Sequence, residues 1–385
     1  MPEPLPGAAA PFPNAGLVGR ADARARLLTP ALLLEWEPLE ANLARMQAHA
    51  DHAGVALRPH AKAHKCPELA RLQLRHGAVG VCVATPGEAA VFAAAGCSDI
   101  LLTSTIGTRQ AFERVADLAT WIRTLTVVFD HPACVEGLAQ ALARRQASVR
   151  ALVDLDLGGH RSGVADPRAA RDLAEKIARY PCFELVGVQA YAHHLSHCRV
   201  KAERERQMQV VGAKIHQTLA ALGPLLPPRP VVTGASTGAF LQELALGVYT
   251  ELQCGSYVFM DAEYDLVDAD GSGTPMFGTS LFVLTAVISA NHPGQATTDA
   301  GEKRFVSKLG TRPVIVRGAQ AGASYLPSSD EHGTVTLPAG GRLAVGDLLE
   351  VQVPHCDPTV NLYDCIHVMR GDALQAIWPI AARGA

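Results

Sequence analysis

The sequence predicts an α/β chain, a (β/α)8 TIM barrel followed by an all-β domain that also takes the N-terminal strand. Two observations carry this. Eight short apolar or β-branched runs alternate with longer Ala/Leu/Glu/Arg-rich segments, the rhythm of βα units around a parallel sheet. After about residue 278 the rhythm changes to alternating strands separated by Gly, Pro, Asp and Asn turns. The length of 385 residues fits, because a barrel of about 250 residues leaves room for a second domain.

Taken in order, segment 27–35 (LLTPALLLE) reads as a strand of the all-β domain, and WEPLEANLARMQAHADHAG reads as a helix. The barrel strands are then 55–58, 79–83, 99–103, 125–130, 149–155, 184–191, 230–234 and about 249–254. Helix-forming segments lie at 67–76, 86–95, 109–119, 132–147, 167–180, 199–222 and 237–246. A doubly wound open sheet is the rival, but it needs a Gly-rich phosphate turn after its first strand, and this one ends in RPHAKAHK. Strands of the all-β part are 281–289, 313–317, 333–337, 348–353 and 374–378. The resulting division is 1–35 for the N-terminal extension and strand, 36–277 for the barrel and 278–385 for the β-domain. The Pro/Ala-rich first 16 residues read as a flexible extension.

Composition narrows the function. A net charge of −3 and 5% aromatic residues argue against a general role on nucleic acid. No run approaches the ~20 apolar residues of a membrane span. The N-terminus lacks the basic and apolar regions of a secretory leader, so a cytoplasmic location is expected. Nine scattered cysteines without a CxxC pair suit a reducing compartment and buried thiols.

Barrels of this kind place their active sites at the C-terminal ends of the strands. There the chain puts Lys62 and Lys65 after the first strand, Asp154, Asp156, His160 and Arg161 after the fifth, and Tyr191, His193, His194 and His197 after the sixth. A lysine in a barrel mouth can form a Schiff base with a carbonyl group; an ordinary surface lysine is the commoner reading of spacing alone. Lys65 competes with Lys62 for that role. Gly234-Ala-Ser236-Thr237-Gly238 and Gly255-Ser256-Tyr257 follow the last two strands, where barrels often bind phosphate; two ordinary Gly/Ser turns are the alternative. The three histidines supply a general base, metal ligands or a substrate clamp, unless they merely precede a solvated helix. In an extended chain His355 and Asp357 share one face and Cys356 the other. The first two form a hard, incomplete ligand set that suits Mn²⁺ or Mg²⁺ better than a closed zinc site; a polar turn is again the alternative.

Six stretches in register resemble the D-threonine aldolase/D-serine dehydratase family: Arg58–Lys65, Gly158–Gly163, Gln189–Tyr191, Gly234–Gly238, Gly255–Tyr257 and Pro354–Tyr363. The resemblance runs from about residue 25 to about 380. It implies an alanine-racemase-like, fold type III pyridoxal-phosphate enzyme with a PLP-binding barrel. It also implies a head-to-tail homodimer whose active sites are shared between subunits. By the same resemblance Lys62 is the Schiff-base lysine, and Arg161 lies beside the cofactor's phenolic oxygen. Tyr191 packs near the ring. Ser236, Thr237, Gly238, Gly255, Ser256 and Tyr257 complete the cofactor site, with most of them on the phosphate. His355 and Asp357 hold the divalent metal, and His197 is the base near the substrate hydroxyl. Dehydratases of the family resemble His-X-Cys and use zinc, whereas His355-X-Asp357 is the aldolase-like form. The loop Tyr191-Ala-His-His-Leu-Ser-His197 departs from the commonest aldolase loop.

The expected reaction is retro-aldol cleavage of a D-β-hydroxy-α-amino acid to glycine and an aldehyde. The alternatives are a D-serine or 3-hydroxy-D-aspartate dehydratase, a 3-hydroxy-D-aspartate aldolase, a non-catalytic pyridoxal-phosphate binding protein and a purely structural barrel.

Overall fold

The computed structural model describes residues 12–385; most of the Pro/Ala-rich extension expected at the N-terminus lies outside them. The chain forms two compact units. One holds residues up to Asn42, Val258–Asp265 and Phe277–Arg383, and the other Leu43–Tyr257, Leu266–Met276 and the last two residues.

The first unit is built around β1 (Ala31–Glu35), whose first four residues are all buried. An apolar run of this kind is covered on both faces. After it, α1 (Trp36–Ala53) carries the chain into the second unit.

There β2 (Ala56–Leu57), α2 (Pro67–Arg75), β3 (Val81–Val83), α3 (Pro86–Ala94), β4 (Asp99–Leu102), α4 (Arg109–Leu118), β5 (Thr124–Phe129), α5 (Pro132–Arg145), β6 (Val149–Asp154), α6 (Pro167–Ala178), β7 (Phe183–Ala190), α7 (Lys201–Leu222), β8 (Val231–Gly234), α8 (Phe240–Ala245) and β9 (Glu251–Leu252) alternate. All eight strands are parallel, in the order β2-β9-β8-β7-β6-β5-β4-β3. The ring closes where Val79 and Cys82 donate their N–H groups to the Leu57 and Pro59 carbonyls, both at 2.9 Å, and His60 bridges Cys82. This is the (β/α)8 barrel the sequence predicts.

Helix starts follow local chemistry. Thr85 accepts the Glu88 N–H at 3.0 Å while Glu88 Oε2 takes the Ala84 N–H at 2.6 Å, and Pro86 opens the helix. Thr108 and Asp166 cap α4 and α6 in the same way. Along the sheet Cys82, Leu101, Val128, Leu152 and Val186, one from each of β3 to β7, form one apolar cluster.

Arg58, just past β2, is buried and binds Asp99 (2.7 Å) and Glu251 (2.9 Å). Breaking a buried pair strands the partner charge. Arg58→Met is therefore expected to lower unfolding stability by about 3–5 kcal/mol, measurable in urea.

The chain then returns to the first unit with β10 (Leu281–His292), β11 (Gln295–Thr298), β12 (Val314–Arg317), β13 (Ser324–Pro327), β14 (Gly333–Thr336), β15 (Leu348–Gln352), α9 (Cys356–Val360), β16 (Cys365–Arg370) and β17 (Ala373–Pro379). The sheet order is β13-β14-β11-β10-β1-β16-β17, with β15 also on β10 and β12 on β15. β1 thus lies between antiparallel β10 (Leu34 opposite Leu281) and parallel β16 (Leu33 opposite His367). Ala31 and Leu33 of β1 share one apolar cluster with Ala23, Leu27, Leu284, Met369 and Leu374.

Three strands were not expected. β11 is a short polar segment formed by the hairpin through Gly294 at φ +73°. β13 pairs with β14, and β16 is the first arm of a hairpin through Gly371. Among the described residues all nine cysteines are free thiols, and no helix is long and apolar enough to cross a membrane.

Candidate active site

The C-terminal mouth of the barrel holds a cavity of about 310 Å³, lined among others by His60, Lys62, Arg161, Gln189, Tyr191 and Gln253. Strand ends place each of these side chains. Past β2, Ala61–Ala63 form a tight turn, and His60 Nδ1 accepts the Lys62 N–H at 3.3 Å. That contact makes His60 Nε2 the protonated nitrogen, so it donates to Thr103 Oγ1 at 2.9 Å, and Thr103 in turn donates to the Val83 carbonyl at 3.0 Å. The two candidate lysines part at this turn. Lys62 lines the cavity, whereas Lys65 takes φ +51° and sends its ammonium to Glu88 at 3.2 Å.

Behind Lys62 the barrel interior is polar. Gln253 donates to Gln189 (3.3 Å) and Thr233 (3.0 Å), Gln189 donates to Asp154 (2.8 Å), and Ser162 donates to the other Asp154 oxygen (2.8 Å). Burial pushes the Asp154 carboxyl up to about 6, against the pull of the Gln189 and Ser162 hydrogen bonds. Sequence reasoning noted Asp154 but gave no role to Gln253, which sits at a buried strand end just before the Gly255–Tyr257 turn.

The loop after β6 is organised by Asp156. Burial works against its charge, yet the N–H groups of His160 (3.0 Å) and Gly158 (2.9 Å) and the His160 ring hold its carboxyl at about 2. The loop carries Arg161 over the face of Tyr191, 5.4 Å from the ring centroid.

His197 follows the short turn His193–Leu195 after β7. Both its neighbours in the chain are tied down. Ser196 shares a 3.3 Å hydrogen bond with the Tyr191 hydroxyl, and buried Arg204 donates to the Cys198 carbonyl at 2.5 Å. Gly238 packs so closely that a Cβ there would lie 2.1 Å from the Ser196 carbonyl oxygen.

The two turns expected to hold phosphate lie side by side at the ends of adjacent β8 and β9. Ser236, Thr237 and Ser256 are buried, and a Cβ on Gly255 would lie 2.6 Å from the His60 carbonyl oxygen. Among the described residues Ser236 Oγ and Thr237 Oγ1 are enclosed without a hydrogen-bond partner. Two buried orphan hydroxyls on one small-residue turn are what a phosphate-bearing cofactor would satisfy, so the residues fit that group. Tyr257 is buried, and its hydroxyl accepts a hydrogen bond from Gln73 of α2 at 3.3 Å.

The other unit holds the second constellation. The extended geometry expected for His355–Asp357 does not occur: the chain turns into α9 directly after His355. Cys356 is therefore not thrown to the opposite side. Its ligand atom, one from His355 and one from Asp261 all lie within 4.8 Å of one another. Asp261 Oδ2 accepts both His355 Nδ1–H (3.0 Å) and the Cys356 N–H (2.8 Å), which fixes the orientation of the His355 ring. Glu263 Oε2 is buried 3.7 Å from His355 Nδ1, with no hydrogen-bond partner among the described residues.

Burial disfavours the His355 imidazolium, but the hydrogen bond to Asp261 and the charges of Asp261, Asp357 and Glu263 outweigh it and raise its pKa. Burial and the same two aspartates push the Cys356 thiol far up, so it is a neutral thiol. The donor set is one imidazole among carboxylates, which fits a hard divalent ion. Asp261 and Glu263 escaped sequence reasoning, although two acids inside the apolar run YVFMDAEY are a signal of buried, partnered carboxylates.

Comparison with known proteins gives a consistent neighbourhood. The model of the alanine racemase N-terminal domain matches residues 35–263, and that of a putative serine dehydratase domain matches residues 280–369. The chain is 38% identical to a D-threonine aldolase from Arthrobacter sp, covering 94% of each chain. It is 33% identical to a 3-hydroxy-D-aspartate aldolase from Paracoccus denitrificans, covering 92% of each. The crystal structure of D-threonine aldolase from Filomicrobium marinum superposes with a TM-score of 0.89 at 35% identity, over 94% of this chain and 97% of that one.

Proposed function

The chain belongs to the alanine-racemase-like, fold type III family of D-threonine aldolases and D-serine dehydratases. On that premise we propose that it is a pyridoxal-phosphate- and divalent-metal-dependent carbon–carbon lyase that cleaves a D-threonine-like β-hydroxy-α-amino acid to glycine and an aldehyde. The observation that carries the reading is the barrel mouth itself, where Lys62 and Arg161 line one cavity and two orphan hydroxyls wait on the neighbouring turn.

Pyridoxal phosphate, when bound, supplies the electron sink for the negative charge left at Cα. Ser236, Thr237, Gly238, Gly255 and Ser256 would hold its phosphate, and Lys62 would anchor its carbonyl carbon. Arg161, already oriented on Tyr191, would donate to the phenolic oxygen through a charge-assisted hydrogen bond. Tyr191, which lines the same cavity, would pack against the ring and exclude water from that face. His355 and Asp357 would hold the divalent ion, Mn²⁺ or Mg²⁺ rather than zinc, which polarises the substrate hydroxyl when bound. His197 takes the hydroxyl proton as Cα–Cβ cleavage proceeds. Asp261 fixes the His355 ring, so Asp261→Asn is expected to weaken Mn²⁺ binding about 10–100-fold by calorimetry.

The assembly belonging to this reading is a head-to-tail homodimer in the cytoplasm, with active sites shared between subunits; sedimentation at micromolar concentration checks the dimer. Incubation with D-threonine tests the chemistry. Glycine plus acetaldehyde supports it, and 2-oxobutanoate plus ammonia would replace it by the dehydratase reading. Asp357, in place of the dehydratase cysteine, favours the first outcome. 3-Hydroxy-D-aspartate is the second substrate to assay, since a relative is named for it.

A further inference from the structure

Glu243 of α8 has no role in the fold or in the chemistry above. It is completely buried. Its Oε2 accepts the Ser236 N–H at 3.0 Å, and its Oε1 has no hydrogen-bond partner. No cation pairs with it among the described residues. The titratable groups that face it are Tyr249 before β9 and Cys254 after it, and burial keeps both of those neutral. On α7 the nearby charge is Arg204, which is occupied by Gln242 Oε1 and by the Cys198, Asp268 and Ala269 carbonyls. From α1, His49 packs on Phe240 rather than on the carboxyl.

A carboxyl enclosed without a cation is held as the neutral acid, and burial moves Glu243 up to about 8. Its geometry suits that form: the oxygen that accepts the Ser236 N–H is the carbonyl, and the oxygen without a partner carries the proton. Three buried polar atoms, Glu243 Oε1, Ser236 Oγ and Thr237 Oγ1, thus stand without partners around one turn.

We propose that Glu243 is a positioning residue of the phosphate cradle, holding the Ser236–Gly238 turn as a neutral acid, and that the cradle takes a phosphate dianion only while that proton is in place. The inference rests on the reading that this turn receives the cofactor's phosphate. Ionised Glu243 would lose its donor and set an uncompensated charge, in a low-dielectric interior, beside the dianion. Binding and protonation are therefore linked. Affinity for a phosphate-bearing ligand is constant near neutrality and falls, by up to about tenfold per pH unit, above about pH 8.

The test uses the full-length chain freed of cofactor, with pyridoxine 5′-phosphate as the probe because it has no aldehyde to react with Lys62. Calorimetric affinities are measured from about pH 6.5 to about pH 9.5 for the wild type and for Glu243→Gln. The wild type is expected to weaken steeply above about pH 8, and Glu243→Gln to bind comparably at neutral pH without that slope. Parallel slopes in the two proteins would overturn the proposal and leave the cofactor reading standing. No binding at any pH would overturn both. If Glu243→Gln does not fold, inorganic phosphate on the wild type reads the same slope without a ring nitrogen to titrate, and a flat profile overturns the proposal.

Discussion

Lys62→Ala is expected to abolish turnover, a fall of more than about 10⁴-fold, and to remove the visible absorbance of the bound cofactor. Lys65→Ala is expected to keep both. The argument is positional. Lys62 sits in the tight turn past β2 and lines the barrel cavity, with its backbone N–H fixed by His60. Lys65, three residues on, adopts a left-handed conformation and is neutralised by Glu88, a residue of the α3 start. Moving Lys65 into the mouth would require breaking that pair and unwinding the turn. The purified variants' spectra and their D-threonine cleavage rates decide between the two. Absorbance that survives Lys62→Ala and vanishes in Lys65→Ala would transfer the role to Lys65.

Removing the divalent ion with a chelator is expected to cost several kcal/mol of barrier lowering, about a thousandfold in rate, and added Mn²⁺ should restore it. His355→Ala should not be restored, because the imidazole whose Nδ1 is held by Asp261 is the ligand with the most fixed orientation. Asp357→Cys is expected to shift the preference toward zinc, since a thiolate is the softer donor. The measurements are rate after dialysis and metal affinity by calorimetry. Full activity in thoroughly chelated protein would refute the metal role.

The barrel was legible in the sequence because parallel strands buried on both faces read as continuous apolar runs. Every one of the eight runs contains or overlaps an observed strand. The β-domain was less so. Val81–Val83 announces itself by composition, but Gln295–Thr298 becomes a strand through pairing with β10 and β14, which no local window contains.

The site divides along similar lines. Lys62, Arg161, Tyr191 and the two small-residue turns stand out because their residue types are unusual at strand ends. Asp261 and Glu243 do not: an acid in an apolar stretch signals burial, as Asp261 and Glu263 do, but not which partner it meets. The expected orientation of Cys356 failed for a local reason: a period of two holds only while the chain stays extended, and it stops at His355.

The placement of β1 has a consequence for biosynthesis. Its antiparallel partner begins at Leu281 and its parallel partner at Cys365, so a strand with four apolar residues in a row leaves the ribosome long before either neighbour exists. The whole barrel can form first. Until the last segment emerges, β1 remains a hydrophobic edge able to pair with other nascent chains. Premature termination just after the barrel is therefore predicted to give aggregates rather than a soluble half-protein, and folding yield to depend on chaperones that shield residues 31–35.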